Sequence, residues 1–137
     1  MPTDFDDEGD DHVHDECGVF GIWGAPEAAS PRFRGLHALQ HRGQEAAGIV
    51  SSDGEQLSVH RGLGLVQDVL GDNRTLEQLP GDRAIGHVRY STAGGSHIKN
   101  AQPIVIDYAQ GSIAVAHNGN LTNADEIRRR LELLGSI

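Results

Sequence analysis

The first 16 residues of this chain limit which part of it can form a packed domain. They contain eight acidic residues, no Lys or Arg and few apolar side chains. Such a segment cannot bury enough apolar surface to offset the entropy lost on ordering, so residues 1–16 are predicted to be a disordered leader. Any packed domain therefore begins at Cys17, and the remaining length suits one domain with a modest core.

Outside the leader the charge is nearly balanced. The whole chain has a formal charge of −9, but residues 17–137 contain 12 acidic and 11 basic residues, a net of −1. A neutral body without a basic stripe argues against a nucleic-acid partner. No apolar run has membrane-spanning length, and the leader lacks the features of a secretory signal. One cysteine cannot form an internal disulfide, so we expect a cytoplasmic protein with no membrane partner.

Apolar runs and turn signals predict six strands, over residues 17–24, 46–52, 56–60, 84–91, 103–108 and 112–117. The first strand, CGVFGIWG, is predicted to be buried, with Phe20 and Trp23 in the core. Asp53-Gly54 is a strong signal for a hairpin between the second and third strands.

Three helices are predicted, over residues 32–40, 73–79 and 123–134. In the first, Leu36 and Leu39 share one face. In the last, Asn123 and Glu126 have capping-box spacing, and Gly135 is placed to end the helix. Helices between mostly antiparallel strands predict an α+β fold. Since the chain ends just after a helix stop, we expect a truncated domain.

Cys17 stands at the junction between the acidic leader and the first strand. Cleavage of the chain before Cys17 would give one residue both a thiol nucleophile and a free α-amine that can act as its base. The alternative is a small buried hydrophobic residue, which is the usual role of a lone cysteine.

Three polar clusters lie where predicted strands or helices end: LQHRGQE at residues 39–45, GHVRYSTAG at residues 86–94, and AHNGNL at residues 116–121. Arg89 could clamp a carboxylate with two hydrogen bonds. Asn118 and Gly119 could offer a side-chain amide and a backbone N–H to an oxyanion. The simpler alternatives are a surface ion pair for Arg89 and a plain type I′ turn at Asn118-Gly119.

Taken together, the phrases CGVFG, LQHRGQEAAGI, GHVRYSTAG, NAQP and AHNGNL resemble the glutaminase domain of the class II glutamine amidotransferases, a branch of the N-terminal-nucleophile hydrolases. The resemblance runs from Cys17 to Ile137 and is strongest to the purine-synthesis branch. It implies an αββα sandwich of antiparallel sheets, incomplete at the C-terminus. It also implies that residues 1–16 are a propeptide that the protein removes itself.

The resemblance implies roles for the nucleophile and the oxyanion site. Cys17, as the new first residue, would attack the side-chain amide carbon of L-glutamine. Its α-amine, with an ordinary pKa of about 7.7–8.0, suits a general base near neutral pH. Asn118 and Gly119 would stabilise the tetrahedral oxyanion. The ammonia would convert phosphoribosyl pyrophosphate to phosphoribosylamine.

The resemblance also implies residues for substrate binding. Arg89 would hold the α-carboxylate of glutamine, with Thr92 nearby in the same loop. Arg42 and Gly43 would shape the surroundings of the nucleophile. The family's Ser-Asp motif, which binds the glutamine α-amine, would fall beyond Ile137.

The remaining expectations concern partners and cofactors. A phosphoribosyltransferase domain is expected as a missing or separate partner, and a homo-oligomer for the full-length protein. No cofactor or metal is expected in this chain, because the His37 and His41 spacing lacks a recognisable metal motif. Mg²⁺, and as an open alternative an iron–sulfur cluster, are expected in the missing C-terminal region. The alternative function is an inactive truncated fragment or a non-catalytic interaction module.

Overall fold

In the computed structural model of the chain, the described residues are 17–26, 28–42, 45–90, 97–119 and 121–136, so the predicted leader lies outside them. The strands are β1 (Gly18–Ile22), β2 (Ala46–Ser52), β3 (Leu57–Leu63), β4 (Arg83–Arg89), β5 (Ile104–Tyr108) and β6 (Gly111–Val115). The helices are α1 (Ala29–Ala38), α2 (Val66–Leu70), α3 (Asn73–Glu77) and α4 (Ala124–Leu133). Single 3₁₀ turns cover Gln40–Arg42 and Ile98–Asn100. Antiparallel sheets with helices between them confirm the predicted α+β class.

The larger sheet has four strands in the order β1-β4-β2-β3, and every neighbouring pair is antiparallel. The predicted hairpin at Asp53-Gly54 joins β2 to β3. Asp53 Oδ1 accepts hydrogen bonds from the backbone N–H groups of Glu55 (2.9 Å) and Gln56 (2.8 Å), and these bonds lower the pKa of Asp53. Gly54 has φ +101°, a conformation that favours glycine.

The hydrophobic core lies between one face of this sheet and the helices α1 and α2. Alternate residues of β2 and β4 point to this face because side chains alternate along a strand. The buried members of the core are Ala28, Leu36, Ala47, Ile49, Val66, Leu70, Leu79, Ala84 and Val88. Leu36, predicted to share a helix face with Leu39, is in this core, and Leu39 packs against it. Helix α2 was not predicted, since five residues are too few to show helical periodicity.

The second sheet is the antiparallel hairpin β5-β6, and it approaches the other face of the larger sheet. Gly48 in β2 allows this approach, because a Cβ at Gly48 would lie 2.2 Å from the backbone oxygen of Gln102. Arg61 of β3 donates from Nη1 to the carbonyl oxygens of Ala101 (3.1 Å) and Pro103 (3.0 Å). The segment that leads into β5 is thus bound by the edge strand β3 and lies against the inner strand β2 of the first sheet.

Of two predictions about the first strand, one agrees with the structure and the other does not. Phe20 packs against the core, as expected. The prediction that Trp23 is a core residue is wrong: Trp23 is 75% exposed, and the Arg83 guanidinium carbon lies 4.1 Å from its ring centroid. The reason is topological, since β1 is an edge strand that ends at Ile22 and leaves Trp23 beyond the sheet.

The last helix begins and ends within one residue of the predicted bounds, but its start differs in detail. Asn123 occupies the N-cap position of α4 without making a side-chain capping hydrogen bond. The predicted capping box therefore does not form. At the other end Gly135 has φ +67° and donates its N–H to the carbonyl of Glu132 (3.0 Å), which confirms the predicted glycine stop.

Candidate active site

The register of β1 against β4 places Cys17 at the end of β4. Gly18 pairs with Val88, so Cys17 lies beside Arg89 and Tyr90. The backbone N–H of Tyr90 points at Cys17 Sγ (3.4 Å), and the thiol can donate to the Tyr90 carbonyl (3.5 Å). These two contacts hold the sulfur at the end of β4. Cys17 remains partly exposed and is therefore accessible to a ligand.

Gly18 lets the nucleophile's strand lie close to its neighbours. A Cβ at Gly18 would lie 2.8 Å from Val88 Cγ2 and 3.2 Å from Leu39 Cβ. Any larger residue would push the start of β1 away from β4 and from the end of α1. The glycine that follows Cys17 is thus required by packing.

The Asn118-Gly119 turn, which follows β6, meets Cys17 across the two sheets. Asn118 Nδ2 donates to the backbone carbonyl of Cys17 at 2.7 Å, joining residues 101 positions apart in sequence. Gly119 has φ +134°, which residues with a side chain rarely adopt. The structure therefore brings the candidate oxyanion residues to the candidate nucleophile.

Arg89 is the last residue of β4 and is partly buried. Its Nη1 atom is buried and has no hydrogen-bonding partner among the residues that the structure describes. A buried polar group without a partner is costly, so this nitrogen is available to an acceptor that enters the site. Within the described residues Arg89 makes no ion pair, which distinguishes it from the surface pair Arg83–Asp82 (2.7 Å).

The other predicted binding residues are described only in part. Arg42 closes the 3₁₀ turn that follows α1, on the segment leading to β2. Gly43 and Thr92 lie outside the described residues. The roles of these three residues in binding remain predictions.

Two polar residues that the sequence analysis did not assign contact the same turn. His87 is fully buried, and its Nε2 lies 3.1 Å from the carbonyl oxygen of His117. Burial lowers the pKa of His87, so its ring is neutral near pH 7. Gln102 Oε1 accepts a hydrogen bond from the His117 N–H at 2.7 Å. A signal was present, because His87 has the same parity as Arg89 in β4 and must share its face.

In the part of the chain that the structure describes, helices are too short or too polar to cross a bilayer. The same residues bring together no three His, Cys, Asp or Glu side chains that could hold a metal ion.

Comparison with known families gives a match to the family described as "Glutamine amidotransferases class-II", over residues 74–136. This segment includes β4, the second sheet and the Asn118-Gly119 turn.

Relatives of known name extend the similarity to most of the chain. The amidophosphoribosyltransferase of Bacillus subtilis is 53% identical over 126 residues, which are 91% of this chain and 26% of the relative. Amidophosphoribosyltransferase 3 (chloroplastic) of Arabidopsis thaliana is 54% identical over 128 residues, 93% of this chain and 24% of the relative. The chain thus spans about a quarter of the length of these two relatives.

A solved structure shows the same fold. The structure described as "the allosteric regulatory enzyme of purine biosynthesis" superposes with a TM-score of 0.81 at 53% identity, over 87% of this chain and 26% of that one. The similarity in both sequence and structure confirms the resemblance and the N-terminal-nucleophile fold predicted from the five sequence phrases.

Proposed function

Because this chain belongs to the class II glutamine amidotransferases, we propose that it is the glutaminase domain of an amidophosphoribosyltransferase, releasing ammonia from L-glutamine for purine synthesis. The observation that best supports this is the hydrogen bond from Asn118 to Cys17. It joins two segments that are 101 residues apart, next to the strand position of Arg89, whose Nη1 has no hydrogen-bonding partner among the described residues.

In the proposed reaction Cys17 Sγ attacks the side-chain amide carbon of glutamine. The C–S bond forms first and gives a tetrahedral intermediate, and the C–N bond then breaks as the leaving nitrogen takes the thiol proton and departs as ammonia. Water then hydrolyses the thioester to glutamate and restores the thiol. Removal of residues 1–16 would free the α-amine of Cys17 to carry the proton.

Asn118 and Gly119 are proposed to stabilise the oxyanion of the tetrahedral intermediate. The Asn118 amide has two hydrogens, and one is already directed at the Cys17 carbonyl. That bond orients the amide so that its second hydrogen and the Gly119 N–H can reach the oxyanion. Removal of one such donor costs about 10²–10³-fold in rate.

Arg89 is proposed to bind the α-carboxylate of glutamine. It follows Val88, the partner of Gly18, and so lies beside Cys17, and its buried Nη1 lacks an acceptor among the described residues. A guanidinium can make two parallel hydrogen bonds to a carboxylate, which fixes both the position and the direction of the substrate.

The wider enzyme is also a proposal. By analogy with the relatives' names, the ammonia would react with phosphoribosyl pyrophosphate on a phosphoribosyltransferase domain. The propeptide, the cytoplasmic location and the homo-oligomer remain predictions. The expected Mg²⁺ and iron–sulfur cluster concern sequence outside these 137 residues.

Intact-mass measurement before and after treatment with diazo-oxo-norleucine, an electrophilic glutamine analogue, tests the proposal. The wild-type protein should lose residues 1–16 and gain one adduct, while Cys17→Ala gains none. Arg89→Lys should label more slowly, because a point charge replaces a planar fork. An uncleaved and unlabelled wild-type chain would instead support the alternative of an inactive fragment or interaction module.

A further inference from the structure

The candidate oxyanion turn is supported at both backbone groups of one residue. His117 directly precedes Asn118, and its N–H and C=O are each bound by a side chain. Gln102 Oε1 accepts from the N–H at 2.7 Å, and His87 Nε2 lies 3.1 Å from the C=O. Since a carbonyl can only accept, His87 Nε2 must be the protonated nitrogen of a neutral ring.

We infer that His87 and Gln102 are positioning residues for the oxyanion site, an inference that rests on the proposed glutaminase function. Neither residue contacts Cys17. They act through the His117 backbone and so determine where the Asn118 amide and the Gly119 N–H point. We call these two side chains, together with the N–H and C=O groups of His117, the His117 clamp.

The two arms of the His117 clamp come from different parts of the fold, one from the four-stranded sheet and one from the segment before β5. His87 belongs to β4 of the four-stranded sheet and is fully buried, so its ring cannot move without disturbing the sheet. Gln102 precedes β5 and lies over Gly48, with neighbouring carbonyls held by Arg61. The His117 clamp therefore fixes the turn, whose own residues are exposed, in position relative to the rigid four-stranded sheet.

Burial without full hydrogen bonding indicates a specific role for His87. Its Nδ1 is buried and has no partner among the described residues, whereas Nε2 is used. A side chain kept in place for packing alone would not need a polar ring at a site where half of it stays unsatisfied. Among the described residues, the bond to the His117 carbonyl is the one interaction that the ring supplies and an apolar residue could not.

The test compares variants that remove a hydrogen-bonding atom with variants that keep it, in the protein expressed from its complete gene. His87→Leu and Gln102→Met remove the donor and the acceptor. His87→Gln and Gln102→Glu keep an N–H donor and an oxygen acceptor. His60→Leu on β3 and Gln110→Met in the exposed β5–β6 turn are matched controls outside the clamp.

We expect His87→Leu and Gln102→Met each to lower kcat for glutamine hydrolysis by about 10²-fold, because a displacement near 1 Å has that effect. KM should not change, since Arg89 is untouched. His87→Gln and Gln102→Glu should recover most of the rate. The double variant should lose less than the product of the two single losses, because both side chains act on the backbone of one residue, His117.

Thermal melting of every variant separates positioning from loss of fold. The inference is overturned if the controls lose kcat as much as the clamp variants, or if KM rises while kcat is unchanged. It is also overturned if the variants that keep the hydrogen-bonding atom are as slow as the variants that remove it, at equal melting temperature. If His87→Leu does not fold, the Gln102 pair decides. A wild-type protein that neither hydrolyses glutamine nor takes the electrophile would refute the proposed function, whereas an active wild type with unaffected clamp variants refutes only this inference.

Discussion

The four-stranded sheet and the β5–β6 hairpin are made of similar apolar strands but differ in burial. Ile49 in β2 is fully buried, whereas Ile106 in β5 is 54% exposed. Helices α1 and α2 cover one face of the first sheet, while no residue of β5, β6 or α4 is fully buried among those described. Strands of similar β-propensity are therefore buried to different extents, because the burial of a strand depends on what packs against it.

The candidate active site combines both regions. The buried sheet contributes Cys17 and Arg89, and the exposed hairpin leads into Asn118 and Gly119. Stability should therefore depend mainly on the first region, and the rate of the reaction on both. Four predictions test this division.

The largest effect on stability should come from the covered face of the first sheet. Leu36→Ala removes a fully buried side chain from the core and should lower the free energy of unfolding by about 2–5 kcal/mol. Urea denaturation of the 137-residue chain measures this loss. A loss below about 1 kcal/mol would mean that this face is not the main core.

Asn118→Ala should act on rate with little effect on stability. Its side chain is exposed, so the urea midpoint should change little, while kcat for glutamine hydrolysis falls by about 10²–10³-fold. Steady-state kinetics with glutamine measure the change. Asn100→Ala, in the 3₁₀ turn before β5, is a matched control, and an equal loss of kcat there would contradict the assignment.

Acid should destabilise the protein partly through His87. Burial lowers the pKa of His87 below the ordinary value of 6.5, so on acidification the unfolded chain binds a proton that the folded chain does not. The contribution of His87 to the free energy of unfolding is therefore fully present only above about pH 6.5, and it falls as the pH drops below that value. Urea midpoints at pH 7 and pH 5 should differ less for His87→Gln than for the wild type. Equal differences would show that His87 is not a source of the pH dependence.

The smallest effect should come from the hairpin. Ile106→Ala removes a side chain that is already half exposed, so the free energy of unfolding of this chain should fall by less than about 1 kcal/mol. Urea denaturation of Ile106→Ala and Leu36→Ala under the same conditions gives the ratio of their losses in free energy of unfolding directly. If the two losses were equal, the contrast in burial between the two sheets would not describe the chain in solution.

Local signals in the sequence predicted most of the elements. The Asp53-Gly54 hairpin, the α1 face that contains Leu36, and the Gly135 stop all agree with the structure, because each depends on residues close together in the chain. Short helix α2 and the exposure of Trp23 were not predicted. Both depend on which elements pack together, which no local pattern reports.

For the site itself, the residue types and their order determined the family and named Cys17, Asn118, Gly119 and Arg89 as candidates. Residue types carry chemistry, and glycine at a positive φ is required whatever surrounds it. Only the tertiary structure brought Asn118 to Cys17 across 101 residues and placed His87 and Gln102 on the backbone of the same residue, His117. The physical reason is that strand register and the packing of two sheets set distances between segments, and these distances arise from the whole chain.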